Sequence, residues 1–345
     1  MTESSASAVR SQRFRPDWVN LTTVVTVHAL AIFAIVYMAA IQFSWWTLGL
    51  GVLWFFACGF SITAGYHRLF AHRTYEANPL VRLFFLLFGA ASVQNSALKW
   101  ASDHRTHHSR CDTEKDPYNI KKGFWWAHIG WVITANKDGG PLRRKDLEAD
   151  PLVMFQHRWL VPLTVLVGAV LPFALGYLWG DPFGALLVAG FLRLAFQWHV
   201  TFAINSYAHT FGRQNYGTKT TARDSVVLAL ISLGEGYHSF HHTFPADYRN
   251  GVRWHHFDPT KWLIWSLSRV RMTTGLRRTA SERIQRARAE ASRRAQAVRE
   301  AARAGVDAAK ATVDAAANSR IIAAAGTRAA GVPRASDRTR ETSKS

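Results

Sequence analysis

The chain has 345 residues and a formal net charge of +19, with 48% hydrophobic residues, 14 tryptophans and only two cysteines. Two cysteines cannot build a disulfide framework. The charge does not mark nucleic acid as a partner, because Lys and Arg are almost missing from the long apolar runs and gather between and after them. That distribution belongs to a membrane protein with one positively charged side, and tryptophan favours the bilayer interface.

In chain order, Arg10, Arg13 and Arg15 precede the apolar residues 19–40, about the 20 needed to cross a bilayer, so this stretch reads as a retained span and not as a cleaved leader. Further spans are expected at 45–66, 161–179 and 183–207. No Lys or Arg lies between Arg15 and Arg68, and the short connection 180–182 has none either, whereas 68–158 and the chain beyond Tyr207 are rich in both. The positive-inside rule then puts both termini and the long central loop in the cytosol. Arg193, His199 and Asn205 in the fourth span are costly in lipid and should face protein or lie near a helix end.

Segment 80–98 is apolar as well, but Gln94, Asn95 and Ser96 weaken it as a span, and a crossing there would separate His67 and His72 from the histidines that follow. It is expected to lie at the interface on the cytosolic side. From Ser281 to about Asn318 the sequence is mostly Ala, Arg and Glu, with little to bury. This reads as a solvated helix fraying into disorder, with a basic helix resting on anionic lipid as the alternative. The expected organisation is a flexible basic segment (1–16), a membrane domain (17–279) and a helical to disordered tail (280–345). The fold class is all-α, with four transmembrane helices under a cytosolic helical cap.

Fifteen histidines are present. His28, His128, His157, His199, His255 and His256 are assigned packing or solvent-facing roles. The other nine form a pattern: His67 and His72 (HRLFAH), His104, His107 and His108 (HRTHH), His209, then His238, His241 and His242 (HSFHH). On an α-helix, i, i+3 and i+4 share a face, so each HxxHH aims three imidazoles at one point. His67 and His72 are five apart and do not share such a face; they suit two different metals, or the frayed end of a helix. Nine imidazoles are too many for one ion, while two ions with four or five nitrogens each would use them all. Imidazole suits zinc, copper, iron and nickel alike, so spacing leaves the metal open. Cys58 and Cys111 are not expected to be ligands.

At these residues the chain resembles the membrane-bound fatty acid desaturases, specifically the stearoyl-CoA Δ9 type. The three boxes of that family, HxxxxH, HxxHH and HxxHH, match 67–72, 104–108 and 238–242. The flanks match too: Ala64-Gly65-Tyr66-His67-Arg68-Leu69, Asp103-His104-Arg105, Asp116-Pro117, Gly123-Phe124, His128-Ile129-Gly130-Trp131, Gly234-Glu235-Gly236-Tyr237-His238 and His241-His242-Thr243-Phe244-Pro245. The resemblance runs from about Asp17 to Arg269.

It implies two iron ions held by the nine histidines, with His209 as the extra ligand and Asn205 contacting a metal-bound water. It implies that Gln94, Trp100 and Thr201 shape the kink of an acyl tunnel, that Asn95, Asp103 and Trp131 lie near its thioester mouth, and that Phe55 and Gly59 lie where it closes. Members that use coenzyme A have basic residues just before the second box and after the Gly-Trp pair, where this chain has Ser102, Ala135 and Asn136, with Lys137 and Arg143 nearby. The implied reaction is O2-dependent cis-Δ9 desaturation of a C16 or C18 acyl chain, carried on coenzyme A or, alternatively, in a lipid. No flavin, nicotinamide or iron–sulfur motif is visible, so electrons come from a separate NAD(P)H-dependent reductase, ferredoxin or cytochrome b5-like donor. The expected location is a bacterial cell membrane rather than an endoplasmic reticulum. Rival readings are an alkane or lipid hydroxylase of the same histidine-rich type and, more remotely, a metal transporter.

Overall fold

In the computed structural model, residues 15–135 and 144–329 are described, the side chains as far as 320. The expectations placed on Arg10, Arg13, Asn136, Lys137 and Arg143 lie outside them. Among the described residues, four helices are long and apolar enough to cross a membrane: α1 (Trp18–Ala40), α2 (Trp45–Ala71), and two later ones, Leu160–Trp179 and Pro182–His209. All four spans lie where the sequence placed them, but the second and last run further toward the histidines. Helix α2 is α-helical to Phe60 and continues as a π-helix over Ser61–Ala71.

Between the second and third spans lie α3 (Pro79–Ala90), α4 (Ala97–Arg110), a π-helical turn at Trp126–Gly130 and α5 (Pro151–Arg158). Segment 80–98 is thus not one element. Helix α3 has 12 residues, about 18 Å, too short to span. It stops at Ala91, and Ser96 caps α4 by accepting from Lys99 N. The third and fourth spans are α6 (Leu160–Trp179) and α7 (Pro182–His209). Short helices α8 (Val226–Ile231), α9 (His238–Thr243) and α10 (Pro259–Arg269) follow. The strands Glu76–Ala77 and Thr273–Thr274 pair antiparallel and tie the end of α10 to the start of α3.

Helices α1 and α2 both pack along α7, while α3 and α4 pack on the π-helical end of α2. Helix α3 comes so close that a Cβ on Gly89 would sit 2.3 Å from the Tyr66 ring, and one on Gly65 would sit 2.6 Å from Phe85 Cβ. At the opposite end of the bundle, Asp181 is buried, caps α7 through Gly184 N (3.0 Å), and accepts from Tyr37 (2.8 Å) and Thr47 (2.5 Å). Donors from α1 and α2 therefore replace the water this carboxylate would lose on burial. Arg193 is buried too, donating to the carbonyls of Ala189 and Ala91 and to Gln197. The last element, α11 (Ser281–Ala329), begins by packing Ile284 and Ala287 against the cluster of Tyr216, Phe240 and Phe244. The main compact unit closes at Ala291, and beyond it Val298, Val306 and Val313 are exposed.

Candidate metal centre

The nine histidines that the sequence singled out come together in two groups. His67, His72, His104, His108 and His241 form one; His107, His209, His238 and His242 form the other, with ligand atoms within 4.8 Å of one another in each. All nine turn Nε2 inward. Within the first group, Nε2–Nε2 distances are 2.9 Å for His67–His241, 2.8 Å for His72–His104 and 2.9 Å for His108–His241. Within the second they are 3.1 Å for His209–His238, 3.1 Å for His238–His242 and 3.3 Å for His107–His242.

These distances fit metal ligation. Two nitrogens each ~2.1 Å from one ion lie ~3.0 Å apart when they subtend ~90° and ~3.4 Å apart at a tetrahedral angle. The protons argue the same way. His67 Nδ1 lies 2.8 Å from Glu235 Oε2 and His107 Nδ1 lies 2.8 Å from Asp116 Oδ1, so each gives its N–H to a carboxylate. His209 Nδ1 lies 2.8 Å from Thr221 Oγ1, whose hydroxyl proton goes to Asp112 Oδ1 at 2.8 Å. In these three rings Nε2 is the bare lone pair, the form in which an imidazole binds a metal ion. Burial, and then the neighbouring imidazoles, hold His72, His104, His108, His238, His241 and His242 well below the ordinary imidazole value, so they are neutral at pH 7.

Two expectations need correction. Of the two readings given for the pair five apart, the one with two different metals falls, since His67 and His72 enter the same group, and the one at a helix end agrees with His72 capping the helix that ends at Ala71. The π-helix explains this: His72 N donates to His67 O across five residues (3.0 Å), stacking positions that an α-helix would splay apart. Nor does an HxxHH face aim at one point. His104 and His108 enter the first group while His107 enters the second; on α9, His238 and His242 enter the second while His241 enters the first.

A cavity of about 440 Å³ opens between the spans and reaches the histidines, with His67, His104, His107 and His238 on its wall. Phe55, Gly59, Gln94, Asn95, Trp100, Trp131, Thr201 and Asn205 all line it. Trp100 Nε1 donates to Gln94 Oε1 (3.2 Å), and Gln94 Nε2 donates to Thr201 Oγ1 (3.1 Å), joining three elements in one strut. Asp103 is not on the wall and pairs with Lys99 on α4. His28, His128 and His199 stand apart from both groups and are linked in a row, His28 Nε2 to His199 Nε2 at 2.9 Å and His199 Nδ1 to His128 Nε2 at 3.0 Å.

The sequence reading quoted Arg68, Asp116 and Glu235 only as matching flanks of the histidine boxes; the structure gives each a partner at the centre. Glu235 takes four donors: His67 Nδ1, Asn250 Nδ2 (2.7 Å), and Arg68 through Nε (3.2 Å) and a terminal nitrogen (2.7 Å). Burial works to raise its pKa, but His67 and Arg68 outweigh that and hold it at about 2. Arg68 is itself 1% exposed and also meets Asp258 (3.0 Å) and Tyr248 O (2.9 Å). Burial likewise opposes ionisation of Asp116, yet His107 holds it below the usual carboxylate range. A carboxylate three residues before His238, and one nine after His107, were the signals available for these two. Cys111 Sγ lies within 4.8 Å of ligand atoms of His107 and Asp116. Burial and two aspartates push its thiol up, which keeps it protonated and a poor ligand.

A profile of the fatty acid desaturase family matches residues 43–271. The chain is 42% identical over 255 residues to a probable acyl-CoA desaturase of Schizosaccharomyces pombe, covering 73% of this chain and 53% of that protein. It is 41% identical over 239 residues to acyl-CoA desaturase 1 of Saccharomyces cerevisiae, covering 68% and 47%, and 37% identical over 246 residues to human stearoyl-CoA desaturase, covering 69% and 68%. The chain thus spans about half the length of the two yeast relatives. All three are eukaryotic proteins and lend no support to the expected bacterial membrane.

Proposed function

The chain belongs to the fatty acid desaturase family, and on that premise we propose that it removes two hydrogens from a long-chain acyl thioester, C16 or C18 on coenzyme A, to give the cis-Δ9 product. The balance is one O2, two electrons and two protons in, two waters out, with two hydrogens coming from the substrate. The observation that carries this reading is an apolar-walled cavity that ends on the imidazoles of two metal-ready groups. Unactivated methylenes cannot be attacked by any side-chain acid or base, and a pair of iron ions, when bound, supplies the oxidising power.

The chain's own residues do the rest. The nine imidazoles would hold the ions, with Asn205 facing them through water. Glu235, Asp116 and Thr221 keep the rings in the Nδ1–H tautomer. The Trp100–Gln94–Thr201 strut gives the tunnel a fixed bend, so that one C–C bond is presented and held eclipsed toward the cis product. Phe55 and Gly59 would meet the methyl end. Trp131 and Asn95 would sit beside the thioester, with Asp103 nearer the surface. The four spans exclude water from the reacting carbons. Electrons come from a separate reductase, ferredoxin or cytochrome b5-like donor on the basic side of the membrane, which the positive-inside rule makes cytosolic along with both termini.

The test is expression in a desaturase-deficient cell, with mass spectrometry and double-bond mapping of the fatty esters. Cis-Δ9 C16:1 and C18:1 are expected, lost on His107→Ala. An alcohol in place of the alkene would turn the reading to a hydroxylase, and activity on lipid-bound chains alone would move the substrate from coenzyme A to an acyl lipid.

A further inference from the structure

The two histidine groups are not anchored alike. In the five-histidine group, among the described residues, Glu235 on His67 is the carboxylate that receives a ring N–H. In the four-histidine group, two rings are tied to one short segment that follows the second histidine box. Asp116 accepts from His107 Nδ1 and from the backbone N–H of Asp112 (3.0 Å) and Tyr118 (3.0 Å). Asp112, 9% exposed, accepts both the backbone N–H (2.7 Å) and the hydroxyl (2.8 Å) of Thr221. The Thr221 hydroxyl has one proton. Having given it to Asp112, its oxygen can only accept from His209 Nδ1. The relay His209 N–H to Thr221 to Asp112 therefore fixes the tautomer and the ring plane of His209, which comes from the end of a transmembrane helix and not from an HxxHH face. His238, in the same group, has a buried Nδ1 without a partner among the described residues, so the group depends the more on its two anchored rings.

We propose that Thr221, backed by Asp112, is the positioning residue through which the four-histidine group retains its metal, independently of the five-histidine group. The inference rests on the dimetal reading above. Losing an outer hydrogen bond of this kind typically lowers metal affinity about 10–100-fold, and here the loss falls on one of two ions.

The full chain is purified in detergent, loaded with Fe(II), challenged with a graded chelator, and its iron counted per chain. Wild type is expected to hold two ions. Thr221→Val, which keeps the shape and removes the hydroxyl, is expected to release one ion at about 10- to 100-fold lower chelator while keeping the other, with the apo-protein melting temperature lowered by only a few degrees for the lost hydrogen bonds. Thr221→Ser restores the second ion, which loss of packing alone would not allow. Asp112→Asn, which leaves Thr221 in place but weakens its acceptor, lies between and serves if the valine variant does not fold. Wild-type chelator resistance in both Thr221→Val and Asp112→Asn overturns the inference and leaves the dimetal reading standing. Fewer than two ions in the wild type overturns the dimetal reading, and the inference with it.

Discussion

Replacing Glu235 by glutamine separates the carboxylate's charge from its shape. Four donors converge on Glu235, two on each oxygen: Arg68 on Oε1, His67 and Asn250 on Oε2. A glutamine offers one oxygen and turns an N–H2 toward the other pair, so two donors lose their acceptor and Arg68 keeps only Asp258 as a charged partner. Glutamine mimics the protonated acid, and the carboxyl is held at about 2 in the fold against 4.5 when free. Breaking a buried ion pair typically costs roughly 3–5 kcal/mol, and the low end, about 3 kcal/mol, is expected here because Asp258 stays behind on Arg68. For a chain of this size that is roughly 4–5 °C in melting temperature. The sign with pH follows from a folded pKa below the unfolded one. The contribution is fully present above about 4.5 and is lost as pH falls toward about 2. Wild type should therefore lose stability across that window, and Glu235→Gln should be flatter there and lower at pH 7. Tryptophan fluorescence during thermal unfolding of the metal-free protein in detergent measures both. A variant melting within a degree or two of wild type at pH 7, with the same slope on acidification, would refute the reasoning.

Thr201→Val removes the acceptor for Gln94 Nε2 and frees one end of the strut. At about 1 kcal/mol for the lost bond, the share of double bonds at the main position should fall about fivefold relative to other positions, read by double-bond mapping with total product nearly kept. Gly59→Leu fills part of the cavity that Gly59 lines, where even a Cβ would lie 2.8 Å from Leu233 Cδ1. The C18 to C16 product ratio should drop roughly 10-fold or more, since a pocket discriminates at about 1–3 kcal/mol per methylene. Asp224 caps α9 by accepting from Ser239 N (2.8 Å) and Phe240 N (3.2 Å), and burial raises it from 3.8 to about 6. With the folded pKa above the unfolded one, its contribution is present below about 3.8 and is lost as pH rises through 6, about 3 kcal/mol in all. Asp224→Asn keeps the cap and should remove that slope, so a melting curve against pH that keeps the wild-type fall between 4 and 6 counts against the assignment.

What the sequence made legible, and what it did not, follows from the range of the interactions involved. The spans were legible because length and apolarity are local properties, and the HxxHH faces were legible because α-helical periodicity is local too. The reading of His67 and His72 as ligands of two different metals failed because five residues on an α-helix turn through about 500°, leaving the rings some 140° apart. No residue in Ser61–Ala71 announces the switch to i→i+5 bonding. Glu235, Asp116 and Thr221 carried no periodic signal, because each meets its histidine across a fold and not along a helix. The division of the histidines between the groups was likewise out of reach, since it depends on where facing helices sit. That division has a physical consequence. Helix α4 gives its i, i+4 pair to one group and its middle ring to the other, and α9 does the reverse. Each group therefore clamps both helices, and a shift of either helix disturbs both sets of nitrogens at once. Two ions bound this way would hold α4 and α9 to each other as well as to α2 and α7, so the metal-free protein should be looser where the cavity meets the histidines.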